Sequence, residues 1–450
     1  MNNVMNAAVE RLRRDFGGDI IEPGAPEYAS ASRTVLASGG PACVLRPRSV
    51  GDVRAAVRFA AGAGLVLSVR GGGHGFAGFG TNDDGVVIDL SGLAKVEVVD
   101  KERHLVRIGG GATWGQVAAA LAPHGLAISS GDTRSVGVGG LTLGGGIGWK
   151  VRKHGLALDS VVAAEVVTAD GQVVRAGAEE NPELFWAIRG GGGNFGVVTA
   201  FTFAAHPTTD VFFGRIAFPA SEAAAVLQGW AECLRRAPEE LTSIANLANP
   251  LAGGPRAPIE VLVAFDGDDP RLAAQAIDPI RRLGTVIADD VALRPYADTL
   301  VDGAVAPPGI RLFTRSGFVD RESVREVLAI LAAAGAAEGA PFMSVRSVGG
   351  AVARVPRDAT AYAHRRAELM IVTMVAGPAP VVEAARPALE ALWAGLAPHV
   401  GGAYANFLAS AGEEDVAAVY PPRTYERLAA VKRQWDPGNL FARNHNVRPR

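Results

Sequence analysis

The chain has 450 residues, with 44 Lys plus Arg against 46 Asp plus Glu and a formal net charge of −2. That length carries two or three domains, and 48% hydrophobic with 20% charged residues marks a folded rather than a disordered chain. The balanced charge gives no electrostatic footprint for nucleic acid; two cysteines exclude a disulfide framework or a multi-cysteine zinc site; no apolar run approaches the roughly 20 residues of a membrane span.

The opening stretch MNNVMNAAVERLRRDFGGD alternates charge with apolar residues and reads as a short amphipathic helix without a signal-peptide core. With only Cys43 and Cys233 in the chain, a reducing, cytoplasmic setting is expected. Ser49-Val50-Gly51-Asp52 is a capping box opening a helix over VRAAVRFAAGAG, stopped by Gly62 and Gly64. LVLSVR (65–70) reads as a buried strand running into Gly71, with further strands at VVIDL (86–90) and HLVRIGG (104–110). Thr113 to Gln116 form a second capping box, and the helix that follows ends near Gly125. Beyond residue 205 the glycine density falls, and strands such as IEVLVAF and LMIVTMV mix with amphipathic helices such as EAAAVLQGWAECLRRA. The expected fold class is α+β in two domains: 1–205, then 206–400 as an antiparallel sheet covered by helices. A polar, Pro-punctuated segment, 401–450, follows.

Glycine is the anomaly, at 56 residues against an average usage of roughly 7%. It clusters at 71–75, 109–111, 137–148 and 190–196. No cluster supplies the G-x-x-x-x-G-K-[ST] of a P-loop. Gly73-x-Gly75-x-x-Gly78 and Gly191-x-Gly193-x-x-Gly196 match G-x-G-x-x-G, but neither follows a strand and opens a helix, so a nicotinamide Rossmann domain is disfavoured. What remains is a set of glycine loops converging on a large ligand with a pyrophosphate. One of them, Arg70-Gly71-Gly72-Gly73-His74-Gly75, carries a single histidine in an otherwise bare loop, aimed at something bulky.

That loop resembles the histidyl-flavin loop of FAD-linked oxidases of the vanillyl-alcohol-oxidase superfamily (PCMH-type FAD-binding domain), in the berberine-bridge-enzyme-like branch. PACVLRPRSVGDVRAAVRFA, SVGVGGLTLGGGIGWKVRKHGLALDSVVAAEVVTADG, LFWAIRGGGGNFGVVTAFTF and the C-terminal YERLAAVKRQWDPGNLFARNHNV extend the resemblance over most of 40–205 and 401–450. It implies FAD as cofactor, held by Arg70, Gly71, Gly72, Gly73, His74 and Gly75; by Thr133, Val136, Gly137, Gly139, Gly140, Gly144 and Gly146; by Gly196, Val197 and Val198; and by Asn444 and Asn446 of the returning tail. It implies a covalent bond from His74 to the flavin. Many members add a second bond from a cysteine; Thr133 stands at that position, so attachment through His74 alone is expected, as on the 6-hydroxy-D-nicotine-oxidase side of the family.

The resemblance also assigns chemistry. Tyr404-x-Asn406 matches a motif that several members place over the flavin as substrate base and support, and a tyrosine of pKa about 10 needs a nearby cation to act so near neutrality. No lysine or arginine in 206–400 is identified for that purpose. Val136 matches a position controlling oxygen access, where a small β-branched residue goes with oxidases. The implied reaction is oxidation of a small-molecule alcohol or amine with O2 as acceptor and hydrogen peroxide as product, in a monomer or homodimer with no nucleic-acid or membrane partner. A dehydrogenase with another acceptor and a non-catalytic flavin-binding protein are the alternatives, the second opposed by the presence of both Tyr404 and Asn406. His364 is read as a structural contact at a strand start, His154 as part of a flavin-domain turn, and both cysteines as buried small hydrophobes. No metal site is expected.

Overall fold

Local signals set the first elements of the computed structural model, which describes residues 3–247, 257–303, 307, 309–337 and 339–450. Ser49 Oγ accepts the Asp52 N–H at 3.1 Å while Asp52 accepts the Ser49 N–H at 2.9 Å, and the helix runs Val50–Gly62. The strand begins at Leu67, two residues into the apolar run LVLSVR. Leu65 gives its N–H to Ala60, closing the helix around Gly64 at φ +63°, and Val66 is turned to solvent. Thr113 and Gln116 cap the helix Trp114–Leu121 in the same reciprocal way, and Gly125 ends that segment at φ +61°.

Two sheets share the helix Val50–Gly62. One has four strands ordered Asp19–Ile21, Cys43–Arg46, Val86–Asp89, Leu67–Arg70, the last three mutually parallel. The other is antiparallel, ordered Val96–Asp100, Leu105–Gly109, Val197–Ala204, Val161–Val167, Val173–Gly177. Val53, Ala56, Val57 and Ala60 of the helix pack on Leu45, Val86 and Ile88 of the first sheet and Val167 and Val197 of the second. Each large aliphatic side chain buried this way contributes about 1.5–3 kcal/mol.

After Ala204 the chain passes through His206–Pro207, paired with Leu126–Ala127, and enters an eight-stranded antiparallel sheet at Val211–Phe218. The helices Ala223–Arg236, Pro270–Arg281, Val324–Gly335 and Ala379–Leu396 cover one face of it around Trp230, Val261, Val345 and Ile371. Its other face looks toward the glycine-rich half. Asp159 there takes Arg365 through both oxygens at 2.8 Å, in a pair almost closed to solvent.

The C-terminal segment returns to the first half. Leu428, Ala429 and Val431 of the helix Pro422–Trp435 join the core formed with Leu184 to Ile188. Lys432, fully buried, donates to Asp436 at 2.7 Å and to the carbonyls of Asn194 and Phe441, and Asn194 in turn bonds the backbone of His445 and Val447. A lone buried ammonium would be costly; three acceptors satisfy it and tie the tail to the loop 190–196. Among the described residues no helix is long and apolar enough to cross a membrane, and no group of three or more His, Cys, Asp or Glu is placed to hold a metal ion.

Candidate active site

The glycine loops meet because they have no side chains. Gly72 and Gly137 cross so closely that a Cβ on Gly72 would lie 2.3 Å from the Gly137 nitrogen, and one on Gly137 would lie 2.2 Å from the Gly72 nitrogen. Arg70 fixes the strand end before this crossing: its guanidinium, buried, donates to Asp89 at 3.0 Å and to the Arg33 carbonyl at 2.9 Å. The crossing is one wall of a cavity of about 340 Å³.

Arg70, Gly71 to Gly75, Thr133, Val136, Gly137, Gly139, Gly140, Gly144, Gly196, Val198, Tyr404, Asn406 and Asn444 all line that cavity. Three expected residues do not. Val197 sits in the core between the two sheets, because strand alternation sends it to the face opposite Val198. Gly146 is packed against Ala157, where a Cβ would come within 2.3 Å, and serves instead through its N–H. Asn446 is not part of the lining and carries a buried, unpartnered Oδ1; its neighbour His445 lines the cavity, edge-on to Phe79 at 5.5 Å and bonded to the Ser410 carbonyl.

His74 reaches the cavity from its bare loop. Its Nε2 is buried without a hydrogen-bond partner, and burial pushes the imidazole pKa below its ordinary value, so the ring is neutral near pH 7. Gly303 presses against it from the other half: a Cβ there would lie 2.9 Å from His74 Cε1 and 2.4 Å from Ser135 Oγ. Thr133 donates to Asp132 at 3.0 Å.

Tyr404 stands at the junction of the two halves. Ser316, on the strand Ile310–Val319, bonds both its N–H and its carbonyl, and Thr314 bonds the Phe407 carbonyl, so the large sheet holds the turn Tyr404–Phe407 over the cavity. The phenol oxygen accepts the Gly146 N–H at 2.8 Å and Asn406 Nδ2 at 3.0 Å, and Asn406 also donates to the Leu141 carbonyl. Burial raises the phenol pKa; the two donors and the charge of Arg346 oppose that rise without cancelling it. Gly144 is needed below, since a Cβ there would meet Asn406 Oδ1 at 2.4 Å.

Arg346 and Asp132 are the residues the sequence reading missed. Arg346 donates to Asp132 at 2.6 Å, and its guanidinium lies 5.1 Å from the centre of the Phe407 ring. Burial alone would raise the Asp132 carboxyl, but Arg346 overrides it and holds it below the usual carboxylate range. The sequence signal was the alternation in FMSVRS, which separates Arg346 from Met343 and Val345; which face meets the cavity was not in it. His364 is structural: it stacks on Phe318 at 4.8 Å and meets the Val419 carbonyl. His154 does more than turn the chain, as it stacks on His206 at 4.0 Å and faces Asp266 at 3.3 Å. Cys43 is buried, its thiol pushed up to about 12, while Cys233 is only partly covered.

The site accepts a large flat cofactor with a polar tail. Gly75, Gly140 and Gly193 border the cavity with nothing within 4 Å of where a Cβ would be, and Asn444 carries a buried, unpartnered Oδ1. Those observations fit FAD, which the glycine loops, His74 and Asn444 would hold. The chain matches the FAD binding domain family over residues 41–177 and the berberine and berberine-like family over residues 403–448. It belongs to this family of FAD-linked oxidoreductases. Among its relatives is (R)-6-hydroxynicotine oxidase of Paenarthrobacter nicotinovorans, 32% identical over 91% of each chain. Xylooligosaccharide oxidase of Thermothelomyces thermophilus is 40% identical over 42% of this chain and 39% of its own. The crystal structure of 6-hydroxy-D-nicotine oxidase from Arthrobacter nicotinovorans superimposes with a TM-score of 0.87 at 29% identity, covering 97% of this chain and 98% of that one.

Proposed function

We propose that the protein is an FAD-dependent oxidase of a small alcohol or amine, with FAD attached covalently through His74 alone. In this reading residues 1–205 and 401–450 hold the cofactor, and 206–400 brings a sheet face to the substrate. The observation that carries it is the convergence of His74, Val136 and the Tyr404–Asn406 pair on one glycine-walled cavity. The chemistry FAD supplies when bound is two-electron oxidation of a substrate C–H, with O2 as final acceptor and hydrogen peroxide as product.

The chain's own residues orient and handle a proton. Asn406 and the Gly146 N–H fix the phenol of Tyr404, and as phenolate that oxygen keeps a free lone pair for a substrate hydroxyl proton. Thr133, bonded to Asp132, offers no thiol for a second flavin bond. Val136 lines the same cavity with a small β-branched side chain, which leaves oxygen access to the ring in this reading. The test needs no substrate: the purified flavoprotein is photoreduced without oxygen and mixed with aerated buffer. Rapid reoxidation with one hydrogen peroxide per flavin is expected. Slow reoxidation that only a dye or quinone accelerates would favour a dehydrogenase.

A further inference from the structure

Asp132 and Arg346 form an ion pair, one ring removed from Tyr404 across Phe407, to which the reaction outlined above gives no task. Asp132 belongs to the segment leading into Val136, and Arg346 to the strand Phe342–Ser347 of the large sheet. They meet at 2.6 Å with side-chain exposures of 25% and 16%. Met343 and Val345 fill the helix-covered core, so Arg346 projects from the opposite face, between Ile244 and Met370 on the neighbouring strands. Its guanidinium covers the Phe407 ring, which meets the Tyr404 ring edge-on at 5.3 Å.

The other groups around Tyr404 carry little charge toward it. From its own turn comes neutral Asn406; from the strand Ile310–Val319 come Ser316 and Phe318. Tyr362 is held protonated by burial, and Arg365 over the Tyr362 ring is taken up by Asp159. His364, stacked on the far side of Phe318, is kept neutral by burial. Arg346, one ring away across Phe407, brings a positive charge that opposes the burial-driven rise of the phenol pKa.

We infer that the Asp132–Arg346 pair governs the proton on Tyr404, Arg346 as the cation that draws it off and Asp132 as the counter-charge that holds and moderates that cation. The inference rests on the reading of Tyr404 as proton acceptor. A neutral phenol whose oxygen already accepts two N–H groups has no lone pair left, so it accepts a proton only once ionised. A nearby cation favours that ionised form, and a carboxylate 2.6 Å from the cation quenches part of its field. Both are therefore positioning residues, and neutralising them acts in opposite directions.

The test follows Tyr404 directly. The purified flavoprotein is labelled with ¹³Cζ-tyrosine, the Tyr404 resonance is assigned by its loss in Tyr404→Phe, and pH is raised as far as circular dichroism shows an intact fold. Asp132→Asn is expected to shift Tyr404 ionisation down by about one pH unit, tenfold in ionised fraction at fixed pH. Arg346→Gln is expected to shift it up, and Arg346→Lys to restore it toward the wild type. An Asp132→Asn protein no more ionised at Tyr404 than wild type at every pH where it is folded overturns the inference. If Asp132→Asn does not fold, Arg346→Gln against Arg346→Lys decides, and coincident titrations overturn the inference equally. Undiminished substrate oxidation by Tyr404→Phe would remove the base reading but leave this titration order untouched.

Discussion

At the scale of single residues, the site depends on what side chains leave out. Val136 lines the cavity between Thr133 and Gly137, while its backbone is fixed by the Trp114 N–H at 3.0 Å. Its side chain can therefore be enlarged without moving the wall. Val136→Leu is expected to slow reoxidation of the photoreduced protein by O2 at least tenfold, about 1.4 kcal/mol of barrier, with the visible spectrum unchanged. An unaltered rate in stopped flow would remove Val136 from oxygen access. His74 and Thr133, expected from their identity and position to meet the cofactor, both line the cavity. Among the expected residues that do not line it are Val197, named together with Val198, and Asn446, whose neighbour His445 does. Neighbouring residues in extended chain point to opposite sides, and the sequence does not say which side holds the ligand.

Between elements, the loops 71–75 and 135–140 are the critical joint. Gly72→Ala drives a methyl into the Gly137 nitrogen and the Ser135 carbonyl, at 2.3 and 2.8 Å. The loops have to separate, at a cost of about 1–3 kcal/mol, and the flavin loses its wall. Gly140→Ala puts the same methyl where nothing lies within 4 Å, on the cavity side of the helix Val138–Gly144. The expected contrast is a lowered Tm with lost flavin for Gly72→Ala, against an unchanged Tm with reduced flavin content for Gly140→Ala. Thermal melts and the ratio of flavin to protein absorbance measure both; equal Tm values for the two would contradict the account. Elements of this kind were legible because their signals are local. Ser49 with Asp52 and Thr113 with Gln116 cap their helices from three residues away. The pair Asp132 and Arg346, 214 residues apart, carries no local signal and is made by the packing of sheet on loop.

For the whole molecule, a buried ionic cluster seats the large sheet on the glycine-rich half. Asp266, at the end of the strand Ile259–Phe265, pairs with buried Lys150 and, at 3.3 Å each, with Lys153 and His154. Lys150 also donates to Thr208 and lies over the Tyr296 ring, whose hydroxyl meets Ser130 beside the cavity segment. His206 stacks on His154 and is bonded to Ser160. Burial first, and then the charges of His154 and Lys150, push His206 down to about 4 from its ordinary 6.5. The unfolded chain thus binds the proton that the folded one refuses, so stability is full above pH about 6.5 and falls as pH drops through about 4. The drop from this group is on the order of 3 kcal/mol. Asp266, held far below the usual carboxylate range, loses its contribution only in stronger acid; His74, His364 and His445 are shifted the same way by burial, so the comparison with His206→Asn isolates the share of His206. Urea midpoints of wild type and His206→Asn from pH about 7 down to about 4 are expected to converge as pH falls; parallel curves would show that His206 does not titrate with folding.

The central claim is that one histidine in a bare glycine loop carries the flavin. Trypsin releases Gly71–Lys95, a peptide in which His74 is the sole histidine and no cysteine or tyrosine occurs. Digestion of the denatured protein, with flavin fluorescence and mass spectrometry on the separated peptides, reads the attachment directly. The account predicts a fluorescent Gly71–Lys95 heavier by one flavin nucleotide, with no flavin on the peptide containing Thr133. An unmodified Gly71–Lys95 with all flavin in the free fraction would contradict it.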